Sequence, residues 1–396
     1  MKHLLIILSF ALLPFCLWAG ERNVSFDFYG DRLSFVFNDR QFVNFNEKGF
    51  TDASIQEFYD QSLRADYNNV FTMLANYRQN QKADDWLFYQ LVRKTAEQIS
   101  PKAENYLRYT LYKWYFMVHS GYGTMLSQNN GRLLFYIQCD ENIYNIPYRL
   151  KGGKQYVCLN YHDYGSNIDF DKEPFHPVAL NLPAYTRIFS YKIARLPNFS
   201  ESDYVDKKLQ FTYNASEYNF KIKINPQIKN LFNNYPAVEY KDFINIPVSN
   251  ATYQSLIQLI KKQLRGLNTK AGIDYIMHFT RYAFAFDADT QSYGSEKRLS
   301  PEQTLLSPYS DCEDRVGLFF FLVKEIYNLP MIVLAYPKHV TIAVKFDKPV
   351  GNTIEYNGAK YSVCEPTPQR MELRIGELLP ELKNAHFKVA YAYSPN

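Results

Sequence analysis

The chain has 396 residues, a formal charge of +4, 21% charged residues and 46% hydrophobic ones. This composition excludes a disordered chain. The small net charge, with lysines and arginines scattered among acids, excludes nucleic acid as the main partner. At roughly 100–200 residues per domain, the length predicts two or three domains.

At the N-terminus, Lys2 and His3 precede an almost wholly apolar run, residues 4–18, which ends in Ala19-Gly20 before Glu21 and Arg22. This is the pattern of a secretory signal cleaved near Ala19 or Gly20, so the expected location is periplasmic or secreted. The lesser alternative is an uncleaved anchor. Cys16 follows Phe15, where a lipid-anchored cysteine would want a small residue. No membrane span is expected after signal removal: the later apolar stretch, residues 316–336, is broken by Lys324, Glu325 and Pro330.

Residues 24–29 and 33–37 alternate apolar and polar positions around Gly30-Asp31, which predicts a hairpin. From 52 to 119 the period becomes helical, with helices expected from Asp52 and over 68–77, 84–99 and 103–119; Ser100-Pro101 is the expected start of the last. Trp86, Tyr89, Val92 and Ala96 fall at helical spacing and read as core. Residues 132–248 carry short β runs, among them 133–139, 156–160, 209–213 and 220–224, with Gly152-Gly153 as a turn. Cys139 and Cys158 lie in two of these runs. A disulfide between them is one expectation, and two free buried thiols the plainer one. His162, Asp163 and His176 match no metal-ligand spacing and read as surface residues. Helical periodicity resumes near Ala251, with stripes at Leu256, Ile257, Ile260 and Leu264, then at Ile273, Ile276, Met277 and Tyr282. Strands are expected over 333–336, 340–346, 353–356, 361–365 and 387–393, with Asn357-Gly358 as a hairpin turn.

The chemistry-bearing segment is Ser310-Asp311-Cys312-Glu313-Asp314-Arg315-Val316. Ser310 with Glu313 reads as a capping box. Val316, Phe319, Phe320, Val323 and Tyr327 follow at helical spacing, and Asn328 with Pro330 closes the helix. Cys312 is thus expected in a first turn, where unpaired N–H groups and the positive dipole end favour a thiolate and supply an oxyanion donor. Asp311, Glu313 and Asp314 oppose that shift, so an imidazolium partner is needed. His339, at the start of a strand, is the partner offered, with Thr341 and Ala343 on its side of the strand. Glu365, ending the next long strand before Pro366, is the expected orienting carboxylate, with Val363 on its face and Cys364 on the other. Tyr293 and Gln303 are candidates for a second oxyanion donor, although loop and packing roles are the simpler reading. Asp287 and Asp289 read as a solvated loop in preference to a cation site.

On these residues the C-terminal part resembles the bacterial transglutaminase-like superfamily. The stretches YGSEKRLSPEQTL, YSDCEDRVGLFFFLVKEIYNLP, KHVTIAV and YSVCEPT match its pattern of a Gly/Ser-Asp-Cys-x-Asp block at a helix start, a His at a strand start and an acid-Pro-Thr at a strand end. The resemblance implies Cys312 as nucleophile, His339 as general base and acid, and Glu365 in a place where the family usually has Asp. The expected fold class is α+β: a signal at 1–20, a hairpin plus helical region at 21–130, a mostly β domain at 131–249, and a papain-like, transglutaminase-like domain at 250–396. The expected function is an exported thiol-dependent acyl-transfer enzyme that needs no cofactor or metal. It would act on amide bonds of a peptide or protein substrate, with hydrolysis favoured over transfer to a second amine. The second expectation is a binding or assembly protein that keeps the fold without turnover.

Overall fold

The computed structural model describes residues 20–170, 172–286, 297–369 and 372–395. The segment before Gly20, read above as a signal and including Cys16, and the positions Asp287, Asp289 and Tyr293 lie outside the described residues. The architecture is mixed helix and sheet, as α+β requires. Among the described residues no helix is long and apolar enough to cross a membrane.

The first hairpin pairs β1 (Glu21–Phe28) with β2 (Asp31–Asn38). Phe26, Phe28, Phe35 and Phe37 are buried and their sequence neighbours turn outward, the period-2 pattern of a half-buried strand. The turn sits one residue earlier than predicted. Tyr29 and Gly30 take positive φ values of 47° and 94°, and Phe28 pairs with Asp31. A Cβ on Gly30 would meet the Asn198 carbonyl at 2.5 Å, so only glycine fits there.

Four helices follow: α1 (Asp52–Arg64), α2 (Asn68–Gln81), α3 (Asp85–Ile99) and α4 (Tyr106–His119). Thr51, Asp84 and Asn105 cap the first, third and fourth through their side chains. Ser100-Pro101 does not start α4. Ser100 instead ends α3 through an N–H bond to Ala96, and Pro101 opens a separate turn. Trp86, Tyr89, Val92 and Ala96 are buried as their spacing predicted.

The middle region builds an antiparallel five-stranded sheet from β3 (Thr124–Asn129), β4 (Arg132–Gln138), β6 (Tyr148–Lys151), β7 (Lys154–Cys158) and β8 (His176–Pro177). Its order is β6-β7-β4-β3-β8. A short β5 (Ile143–Tyr144) pairs with β11 (Ala237–Val238), and β9 (Val205–Tyr213) forms a long hairpin with β10 (Ser216–Ile224). Short helices α5 (Gln227–Leu231) and α6 (Tyr240–Phe243) lead into the last region. Cys139 and Cys158 are free, buried thiols. Cys158 stands opposite Tyr136, three residues short of Cys139, which at about 3.3 Å per residue leaves the sulfurs out of register.

The last region holds α7 (Asn250–Gln263), α8 (Thr269–Tyr282), α9 (Pro301–Leu306) and α10 (Cys312–Tyr327). Two-residue strands β12 (Ala285–Phe286) and β13 (Tyr309–Ser310) pair in parallel just ahead of α10. A second antiparallel five-stranded sheet has the order β16-β17-β15-β14-β18. Its members are β14 (Met331–Tyr336), β15 (His339–Val344), β16 (Thr353–Tyr356), β17 (Ala359–Cys364) and β18 (Lys388–Tyr393). Asn357-Gly358 forms the predicted turn between β16 and β17, with both φ values positive. Val340, Ile342, Val344 and Cys364 face a core shared with α10, whereas Ile332, Leu334, Tyr336 and Ala343 face a smaller cluster on the other side. The larger core is continuous from Phe26 to Ile375, so the hairpin, the four helices and both sheets share one apolar interior.

Candidate active site

Cys312 is the first residue of α10, as its sequence context predicted. The cap differs from the prediction. Asp311 is the N-cap, and it exchanges hydrogen bonds with Asp314, not Ser310 with Glu313: the Asp314 N–H donates to Asp311 Oδ1 at 3.1 Å and the Asp311 N–H to Asp314 Oδ2 at 3.4 Å. Asp314 also accepts from the Leu299 N–H at 2.8 Å, which ties the approach to α9 to this turn. The helix ends at Asn328 in the left-handed conformation, φ 50°.

Glu313 serves a different purpose from capping. Arg298 Nε lies 3.0 Å from Glu313 Oε2, and the Tyr240 hydroxyl donates to Glu313 Oε1. The Arg298 guanidinium also stacks 4.3 Å from the Tyr240 ring and donates to the Val238 carbonyl. The residue next to Cys312 is thus anchored to the segment that links the middle region to the last one.

The structure brings His339 and Glu365 together. His339 Nε2 lies 2.8 Å from Glu365 Oε2. Glu365 Oε1 accepts from the Thr367 N–H at 2.9 Å. The carboxylate is buried, with both oxygens engaged, and the longer Glu side chain spans the gap without loss of either bond. The His339 side chain is 14% exposed, so the ring is held at the edge of the protein interior. With Nε2 committed to Glu365, Nδ1 is the nitrogen that remains to exchange a proton.

The backbone N–H of Val340, the residue that follows His339, lies near the Cys312 sulfur and favours its charged form. No hydrogen bond joins sulfur to imidazole. Burial is the main influence on the thiol, and with Asp311, Glu313 and Glu365 it pushes the thiol pKa well above its ordinary value, against the Val340 N–H, which lowers it. The expected resident thiolate is therefore not favoured: the helix N-terminus is outweighed by desolvation and three carboxylates. In this arrangement the thiol keeps its proton at neutral pH. The Cys312 N–H has no acceptor among the described residues and is available to a developing oxyanion.

Gln303 is committed elsewhere. Its side chain accepts from the Ser300 N–H at 3.1 Å in the capping box of α9. It lines a cavity with Pro226, Lys229 and Leu306 that contains none of Cys312, His339 and Glu365. Cys364 is fully buried on the sheet face opposite Glu365, and burial pushes its thiol up, so it is a packing residue. Two groups went unread in the sequence. Arg315 is fully buried and donates to the carbonyls of Thr280, Arg281, Phe284 and Ala285, closing the C-terminus of α8 onto the first turns of α10. Arg281, itself 2% exposed, donates from Nε to the Glu365 carbonyl at 2.6 Å. The signal for Arg315 was its place three residues after Cys312; Arg281 carries none.

His162 is not the surface residue its context suggested. Its side chain is 17% exposed, and burial lowers its pKa to about 4. His176 is exposed on β8. Among the described residues no group of three or more His, Cys, Asp and Glu is placed to hold a metal ion. Comparison with known protein families, curated proteins and solved structures finds no match to this chain.

Proposed function

We propose that the chain is a thiol-dependent acyl-transfer enzyme of the transglutaminase-like superfamily, with a papain-like arrangement of Cys312, His339 and Glu365. The single observation that carries this reading is the 2.8 Å pairing of His339 Nε2 with a fully engaged, buried Glu365, where the residue after His339 on its strand, Val340, has its amide near the sulfur of Cys312. Glu365 fixes the ring and its tautomer, and steadies the imidazolium formed in turnover. Because the thiol is neutral at rest, His339 Nδ1 acts as a general base during attack, not as one half of a standing ion pair.

The steps follow from these positions. The thiol proton passes to Nδ1 as the sulfur bonds to the amide carbon of a peptide or protein substrate. The carbonyl oxygen gathers negative charge near the Cys312 N–H. The C–N bond breaks, and His339 returns the proton to the leaving amine. Water, activated by the same imidazole, then hydrolyses the thioester and frees the cysteine. Hydrolysis is favoured over transfer to a second amine, since no feature of the sequence marks an amine site. Export by the N-terminal signal places the reaction in the periplasm or outside the cell. Exposed Tyr309 and Phe286, on paired strands immediately before the helix, suit an apolar substrate side chain.

The raised thiol pKa and the missing sulfur–imidazole bond favour a second reading, a binding or assembly protein that keeps the fold without turnover. An electrophilic peptide-amide probe separates the two. In the enzyme, Cys312 is labelled and His339→Ala suppresses the labelling. Labelling that is absent, or indifferent to His339, selects the binding protein.

A further inference from the structure

Arg281 sits in an arrangement that packing alone does not explain. It lies in the last turn of α8 and is 2% exposed. Its Nε donates to the main-chain carbonyl of Glu365 at 2.6 Å, and its own carbonyl accepts from Arg315 Nη1 at 2.5 Å. Both terminal nitrogens, Nη1 and Nη2, are buried with no hydrogen-bond partner among the described residues. A guanidinium buried with most of its donors unmet carries a large desolvation cost. A methionine would fill the same space without it. What the guanidinium contributes, and methionine does not, is the bond to Glu365.

The path continues in both directions. Arg315 is on the same helix as Cys312, and its guanidinium gathers the last carbonyls of α8. From there the Arg281 side chain reaches the Glu365 backbone, and the Glu365 carboxylate reaches the His339 ring. Two buried arginines therefore join the nucleophile's helix to the acid that orients the base, although sulfur and imidazole themselves share no bond at rest. Thr367 supports the carboxylate from the other side through its N–H.

We propose that Arg281 is a positioning residue. By clamping the Glu365 carbonyl to the end of α8 it sets the carboxylate that aligns His339, and through Arg315 it sets that pair relative to Cys312. The inference deepens the catalytic reading above and rests on it for its consequence in turnover.

The test uses the full-length chain with Arg281→Met and Arg281→Lys, and His339→Ala as reference. Two signals are read: the Nε2–H resonance of His339 in ¹⁵N-edited spectra, and the rate of Cys312 alkylation by iodoacetamide, located by peptide mass spectrometry. In the parent chain His339 is expected in one tautomer with a persistent Nε2–H signal. Arg281→Met should broaden or lose that signal and slow alkylation at pH 7 by about ten-fold, the scale of losing an outer-shell partner or of a small misalignment. Its melting temperature should not fall in step, since a buried unmet cation has been removed. Arg281→Lys keeps a donor for the Glu365 carbonyl and should restore the signal. If the Met variant does not fold, Arg281→Gln takes its place. A Met or Gln variant with the parent's Nε2–H signal overturns the proposal, as does a Lys variant as impaired as Met. If His339→Ala alkylates as fast as the parent, the catalytic reading fails; the Nε2–H signal still decides whether Arg281 holds the pair.

Discussion

The two five-stranded sheets each place a buried acid beside a histidine, and the two clusters are built to different ends. At the first sheet, Asp163 follows β7 in a turn and is surrounded by cations. Lys102 pairs with its carboxylate, the Tyr106 hydroxyl donates to it at 3.0 Å, and Lys113 from α4 lies close. Burial would raise the Asp163 pKa, yet Lys113, His162 and Lys102 together bring it below its ordinary value. His162 lies 3.3 Å from Asp163 without a hydrogen bond from either ring nitrogen. At the second sheet the carboxylate of Glu365 is shared by one imidazole and one backbone N–H, and the nearby guanidinium takes its carbonyl instead. An acid saturated by cations has nothing left to orient. An acid bonded to a single imidazole, with its cation diverted to the backbone, directs that ring. The same residue types thus give a charge knot in one place and a proton relay in the other.

The comparison is broken most directly at the second sheet. His339→Ala should cut thioester formation by about 10⁴-fold or more, as loss of a triad base does. Glu365→Gln should cost about 10–100-fold, as loss of an orienting partner does. Single-turnover acylation with an activated amide reads both, and unchanged circular dichroism shows that the sheet is intact. If Asp163→Asn gave a similar loss, the two clusters would not differ as described.

Next in size is Glu313→Gln, which removes the carboxylate that Arg298 Nε meets at 3.0 Å. Breaking a buried pair costs about 3–5 kcal/mol. Urea unfolding should show a loss of that order, with early amide exchange in the first turn of α10. Tyr240→Phe removes one hydrogen bond to the same carboxylate and should cost about 1–2 kcal/mol.

The smallest effect sharpens the contrast from the first sheet. Burial lowers the Lys113 pKa to about 7, a cost only partly offset by Asp163 and by the Tyr109 ring 4.3 Å away. A base whose pKa falls on folding binds fewer protons folded than unfolded between about pH 7 and its ordinary 10.5. Stability therefore rises with pH across that window, and the penalty is fully present below it. Lys113→Met should raise stability at pH 6 by about 1 kcal/mol or more, as replacing buried charge by apolar volume often does. The gain should shrink toward pH 10, while acylation by Cys312 stays unchanged. Thermal melts at the two pH values check this.

Much of this organisation is legible in the chain wherever a local rule governs. The Phe26–Phe37 hairpin, the Trp86 stripe and the Cys312 helix are written in periods of 2 and 3.6, and Asn357-Gly358 in turn chemistry. Strand β3 was missed because it is buried on both faces. Ser127 and Gln128 lie inward with Met125 and Leu126, so no alternation marks it. The candidate triad was legible as residue types at element ends, but the state of the thiol was not. Desolvation depends on what packs around the sulfur, and the carboxylates that raise its pKa include one 53 positions away. Arg281 was illegible for the same reason: its partner is a main-chain carbonyl 84 residues on, and any residue has a carbonyl.

The apolar interior that runs unbroken from Phe26 to Ile375 bears on how this protein is handled. Trp86 in α3 donates its indole N–H to the carbonyl of Leu231, 145 residues on, and the Asn198 amide donates to Gln81 of α2. Trimming to a minimal fragment that begins at α7 would strip hydrocarbon bare along the whole seam, and such a fragment should precipitate on purification. Expression, crystallisation and inhibitor screening are better founded on the entire polypeptide, which should melt in one step.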